Sequence, residues 1–247
     1  MLIGTFKRMR LDQLRRHTGR TLKGVRDCVT RLERDGWLEY VEVLCGDKDL
    51  WTIWPTGAGL EAVGLNASLY RGRPALANLP HDFSLVEISL AMLKEDPQGK
   101  FVPERLVRPT YGYGQELVKT EDGEFRRSHR PDGVFVRSDG TMVIVECETS
   151  TKDKKLREWM MAQNEGYVNP QGEEHRIPRD GEADGPTQED GRVLPRSDGS
   201  DAVAYFSYST AIRSRLQLTE EELDLHRVEI FPVPGEVYWP AGTRLNR

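Results

Sequence analysis

Cysteine is scarce: Cys28, Cys45 and Cys147 are the only three in 247 residues. They are odd in number, far apart and without Cys-x-x-Cys spacing, so the sequence supports neither a disulfide framework nor a zinc knuckle. Each sits in an apolar context and reads as a small core residue. Long apolar runs are missing as well. Nothing approaches the roughly 20 residues that a membrane-spanning helix needs, and the N-terminus carries no apolar signal-peptide core. The expectation is a cytoplasmic protein with no membrane partner. Excess positive charge is also lacking, the formal net charge being -5. Charged residues make up 30% and the mean hydropathy is -0.61, both in the range of a soluble chain long enough for a small domain and a medium one.

The distribution of charge says more than its sum. Between Lys7 and Arg26 stand Lys7, Arg8, Arg10, Arg15, Arg16, Arg20, Lys23 and Arg26, a basic end on an acidic chain. Residues 9–17 read as a short helix, Thr18-Gly19-Arg20 as a turn, and a second helix runs from an N-cap at Thr21 to Arg34. Leu22, Val25, Val29 and Leu32 are spaced to form its buried stripe. Its other face offers Lys23, Arg26, Thr30 and Arg34, and with Arg20 these can reach phosphates or base edges. Two strands follow, Trp37 to Leu44 and Leu50 to Trp54. Helix, turn, helix and two-stranded wing in this order resemble a winged helix-turn-helix domain over residues 1–65, which implies double-stranded DNA as a partner. The bland alternative is a module used only for protein contacts. Residues 66–80, with Gly72, Pro74 and Pro80, read as a linker.

The second domain, 81–247, is predicted to open on an apolar helix capped by Asp82, with Glu87 as its charged interruption, a carboxylate that needs a metal or a partner, the plain alternative being a salt bridge at the helix rim. A strand over Phe101 to Arg108 follows, then a loop at Tyr111 to Gly114 and a further strand and turn over Gln115 to Phe125. Gly133 to Arg137 and Met142 to Glu148 read as a hairpin turning at Ser138-Asp139-Gly140. Alternation puts Glu146 and Glu148 on one face and Cys147 on the other, and Asp132 can approach them across the hairpin. Such a carboxylate cluster is costly as packing and suits a hard divalent cation. Arg126, Arg127, His129 and Arg130 immediately precede Asp132 and suit an anionic substrate such as a phosphodiester. Thr151 to Gln163 reads as a helix, and residues 169–201 as a mobile acidic insertion. Ala202 to Tyr208 is a strand, Thr210 to Leu218 a helix and His226 to Val233 a last strand. The fold class expected is α/β (α+β) with a mixed sheet.

Pro131-Asp132, Glu146 on the following strand and Glu87 on the first helix resemble the PD-(D/E)XK nuclease superfamily, the fold of many restriction endonucleases. The pattern departs where a lysine is expected two residues after Glu146: Glu148 stands there, and Lys152 lies further on. With the N-terminal winged helix, the run HRPDGVFV…VIVECETSTK is similar to the replication-relaxation family of mobile elements, related to plasmid mobilisation relaxases of the MobC type. This resemblance implies a Mg²⁺- or Mn²⁺-dependent DNA nickase or endonuclease. Asp132, Glu146 and the carbonyl of Cys147 would hold the metal, Glu148 or Lys152 would orient or deprotonate water, and Glu87 would fix the hydration shell. A homodimer and other plasmid replication or mobilisation proteins are implied partners. Two alternatives stay open: a catalytically inactive DNA-binding regulator that keeps the core as a structural or dimerisation platform, and acids that only line an exposed sheet edge. Tyr111, Tyr113 and Tyr167 read as packing or rim residues.

Overall fold

The computed structural model describes residues 5–45, 48–70, 72–73, 75–111, 117–119, 125–127, 129–168, 192–194, 201–235 and 244–245. It is a mixed α and β fold with both antiparallel and mixed sheets. The chain divides into two compact units: Met1–Leu90 with Gly235–Arg247, and Ala91–Pro234.

In the first unit a short strand β1 (Met9–Arg10) leads into α1 (Leu11–Thr18), which ends on Gly19 at φ 65, a left-handed conformation that glycine adopts freely. Helix α2 (Leu22–Arg34) starts as the sequence predicts, with the Thr21 side chain accepting from the Gly24 amide at 3.2 Å. Val25 and Val29 form its buried stripe, whereas Leu22 is 44% exposed. Strands β2 (Leu38–Cys45) and β3 (Lys48–Pro55) form an antiparallel hairpin that buries Leu38 and Ile53 on one face and Val43 on the other. β1 pairs with β3, and the two-residue strand Arg244–Leu245 pairs with β2. The short helix α3 (Gly57–Glu61) approaches the Trp37 backbone so closely that a Cβ at Gly59 would lie 1.8 Å from the Trp37 carbonyl oxygen.

Helix α4 (Leu79–Glu95) begins before its expected start, within the segment predicted as a linker. Asp82 is therefore not its cap but sits inside the first turn, where Arg8 Nη1 reaches its carboxylate at 2.5 Å. The start is set by packing: Leu79 and Phe83 lie in one apolar cluster with Val43, and Pro80 falls early in the helix, where a missing N–H costs little.

The second unit is built on a five-stranded sheet. Strand β4 (Lys100–Pro103) is shorter than predicted, and Glu104–Tyr111 is helix α5 rather than a continuation of the strand. The Glu104 amide donates to the Asp132 carbonyl at 2.6 Å, one step beyond the pairing of Pro103 with Gly133 in the ladder between this strand and Gly133–Val136. The small strands β5 (Leu117–Lys119) and β6 (Phe125–Arg127) pair with each other. Then come β7 (Gly133–Val136) and β8 (Met142–Cys147), the predicted hairpin, with Gly140 at φ 90 in its turn.

Helix α6 (Lys154–Val168), β9 (Ala202–Ser207), α7 (Thr210–Glu222) and β10 (Val228–Pro232) complete the unit. β7 runs antiparallel to both of its neighbours, β4 and β8, and β8, β9 and β10 run parallel. β-Branched and aromatic residues bury both faces of the central strands. Ile144, Met161, Val203, Tyr205, Ile212 and Leu216 form one cluster of that core. Of the predicted insertion, 169–191 and 195–200 lie outside the described residues. Val193 and Leu194 are buried, and the Val193 amide donates to Glu95.

Candidate functional site

The ladder between β7 and β8 pairs Gly133 with Val145. One step beyond it, Asp132 stands across from Glu146 on the same face of the antiparallel pair. The Asp132 carboxylate accepts from the Cys147 amide at 2.9 Å, which ties the loop before β7 to the end of β8. Glu146 is 1% exposed, and its Oε1 takes two contacts: His129 Nε2 at 2.6 Å and Asn164 Nδ2 from α6 at 2.9 Å. The parallel register sets Glu146 beside Tyr205 of β9. Asn164 also reaches the Tyr205 hydroxyl at 2.8 Å. The His129 ring meets Trp159 edge-on, with centroids 6.3 Å apart.

Glu148 is buried just past the end of β8 and pairs with Lys152. Its backbone is held on both sides, its amide donating to Phe206 and its carbonyl accepting from the Ser207 hydroxyl.

Burial pushes the Glu146 carboxyl up to about 7; His129 opposes this, while the negative charges of Asp132 and Glu148 add to it. Burial pulls the His129 imidazole down, but Glu146 outweighs this, so the net shift is upward. Burial, followed by the charge of Glu146, raises the Tyr205 phenol well above its ordinary value. The site is thus a set of acids and bases held apart from water and shifted by one another, the condition typical of functional sites.

Among the described residues, no group of three His, Cys, Asp or Glu side chains is gathered to hold a metal ion. The donor set is two carboxylates, Asp132 and Glu146, with the carbonyl of Cys147 at the last position of β8. All are hard oxygens. That set does not make a closed zinc-type cage, but it fits Mg²⁺ or Mn²⁺, for which one or two carboxylates suffice when water and a phosphate complete the shell.

Glu87 lies in the first unit, where its carboxylate receives Arg10 Nη2 at 2.7 Å, Gln13 Nε2 at 3.0 Å and the Arg16 guanidinium. Asp132, Glu146, Glu148 and Lys152 all belong to the second. Two of the basic residues counted in the sequence, Arg8 and Arg10, are buried by their acidic partners Asp82 and Glu87. Lys23, Arg26, Thr30, Arg34 and Arg20 are exposed. Arg34 pairs with Asp35 at 3.4 Å, and Arg26 lies over the Trp51 ring, 5.5 Å from its centroid, with Tyr40 stacked on Trp51 at 4.5 Å.

In the second unit Arg130 is exposed and pairs with Glu104. Arg126 and Arg127 form part of β6, and their side chains lie outside the described set, as do those of Tyr111 and Tyr167 and the whole of Tyr113. Cys28 is half-buried and Cys147 buried, and neither is in a disulfide. The sequence reading missed Asn164 and Tyr205 as site residues and counted His129 only as one cation among four. A polar residue within an otherwise apolar helix face was the available signal for Asn164.

No family model, curated protein or solved structure matches this chain. Among the described residues no helix is long and apolar enough to cross a membrane.

Proposed function

We propose that the chain is a DNA-binding protein of a mobile element whose second unit is a PD-(D/E)XK-type nuclease core acting as a metal-dependent nickase or endonuclease. The observation that carries this reading is the approach of Asp132 and buried Glu146 across the β7–β8 hairpin, close enough for each charge to raise the cost of the other. Two carboxylates have no packing reason to meet at a sheet end. The order helix, strand, helix, two short strands, hairpin, helix, strand, with β7 antiparallel to β4 and β8 and with β9 parallel to β8, supports the nuclease-type core.

A bound Mg²⁺ or Mn²⁺ supplies a Lewis acid and lowers the pKa of coordinated water. The protein side chains do the rest. Asp132 and Glu146 offer oxygen donors, Lys152 brings an ammonium to the Glu148 carboxylate, and that pair can orient or deprotonate water beside a phosphodiester.

The first unit supports delivery to DNA. Its helix, turn, helix and hairpin follow the order of a winged helix-turn-helix, and α2 presents Lys23, Arg26 and Thr30 outward. A homodimer, or recruitment by other replication or mobilisation proteins, belongs to the same reading. A second reading, a DNA-binding regulator without catalysis, is favoured by one observation: the metal-facing acid Glu146 already has His129 and Asn164 as partners.

The test is a supercoiled-plasmid assay with Mg²⁺ or Mn²⁺, comparing wild type with Glu146→Ala. Open-circle or linear product from wild type alone supports the nuclease. A gel shift by both proteins without cutting by either overturns it in favour of the regulator.

A further inference from the structure

We infer that His129 and Asn164 form a clamp on Glu146 that decides which of its two oxygens can meet a cation, a positioning role that rests on the nuclease reading above. Both donors land on Oε1, at 2.6 Å and 2.9 Å, and Oε2 takes no hydrogen bond among the described residues. The carboxylate is therefore held by one oxygen and offered by the other.

The clamp is rigid on both sides. Asn164 is fully buried, and its amide nitrogen serves two acceptors, Glu146 Oε1 and the Tyr205 hydroxyl. Its carbonyl oxygen, Oδ1, is buried with no hydrogen-bond partner among the described residues. A buried acceptor left without a hydrogen bond is unfavourable, so this orientation of the amide needs a cause. The carboxylate supplies it: when ionised it can only accept, and turning the amide over would set Oδ1 against Oε1. On the other side, the edge-on contact with Trp159 fixes the plane of the His129 ring.

The chain connection adds a further constraint. His129 lies three residues before Asp132, so one short segment carries both an acid of the site and the residue that orients the other acid. The Asp132–Cys147 hydrogen bond closes that segment onto β8. Outer partners that orient a carboxylate ligand typically contribute 10- to 100-fold to metal affinity.

The test is calorimetric titration of Mn²⁺ alone into the full chain without DNA, with the thermal unfolding midpoint of each variant measured alongside. His129→Ala is expected to weaken Mn²⁺ binding by about 10- to 100-fold. His129→Gln, whose amide can donate to Oε1, is expected to recover most of that loss. Asn164→Ala should weaken binding in the same direction; if it fails to fold, the His129 pair decides alone. A residue serving only the fold would lower the unfolding midpoint and leave Mn²⁺ affinity unchanged. Mn²⁺ binding by His129→Ala as tight as wild type, or tighter, overturns the clamp while leaving the nuclease reading standing. Failure of the wild type to bind Mn²⁺ overturns the nuclease reading and the clamp with it.

Discussion

Glu87 separates two accounts of the same residue. As a nuclease acid it would matter for activity and little for folding, whereas its partners in the first unit make it a structural anion. Its side chain is 4% exposed and meets Arg10, itself 6% exposed, at 2.7 Å. Removing one partner of a buried, hydrogen-bonded ion pair costs about 3–5 kcal/mol, because the other charge stays behind. Arg16 adds less: at 39% exposure its pairing with Glu87 is screened, and Arg16→Ala should cost no more than about 1 kcal/mol. After Glu87→Ala, the acid left beside Arg10 among the described residues is Asp12, 43% exposed.

Urea unfolding followed by tryptophan fluorescence reads this directly, since Trp37, Trp51 and Trp54 all lie in the first unit. With a urea slope of about 1–3 kcal/mol per molar, the midpoint for Glu87→Ala should fall by at least about 1 M. A loss within about 0.5 kcal/mol, the range of an ordinary surface substitution, would refute the reasoning.

Double charge reversal, Lys23→Glu with Arg26→Glu, is expected to weaken DNA binding and to reduce the slope of log affinity against log salt by about 2 or more; a fluorescence-anisotropy salt series with an unchanged slope would remove α2 as the DNA-facing surface. The metal-free protein in EDTA should also lose stability as pH rises. The folded Glu146 carboxyl titrates at about 7 against an ordinary 4.5, so the unfolded chain sheds its proton first, and the stabilisation present below about pH 4.5 is gone above about pH 7. The upward shift of His129 has the same sign, its contribution being full below its unfolded value and lost as pH rises through the folded one. Glu146→Gln should flatten thermal-unfolding midpoints over that window, and a pH series parallel to wild type would defeat the assignment.

Elements marked by local chemistry were legible in the sequence. Thr21 caps α2 because a short hydroxyl can reach the amide three residues on, and the β7–β8 hairpin follows from β-branched runs either side of a Gly turn. What escaped was set by contacts between distant residues. Asp82 has the composition of an N-cap, but Arg8, 74 positions away, claims its carboxylate inside the helix. Residues 101–108 carry a strand-like apolar run, but only Lys100–Pro103 finds a partner strand in β7, and the chain continues as a helix from Glu104. The charge count between Lys7 and Arg26 overstated the outward basic surface for the same reason, since the acids that bury Arg8 and Arg10 lie more than seventy residues along the chain.

The candidate site divides along the same line. Period-two alternation was enough to place Glu146 and Glu148 on one face and to bring Asp132 towards them, because a hairpin is local. Asn164 and Tyr205 reach Glu146 through a helix and a parallel strand, whose register no short-range pattern encodes. Glu148 shows how a local departure acquires its meaning from such geometry. In the sequence it is an acid where a lysine is expected; in the fold its carboxylate is paired by Lys152, across a non-helical turn and before α6 begins. Glu148 is 5% exposed, and a charge so buried without a partner is costly to keep from water. The ammonium of Lys152 offsets that cost, so the two positions work as a unit, and changing either one alone leaves the other charge without its partner.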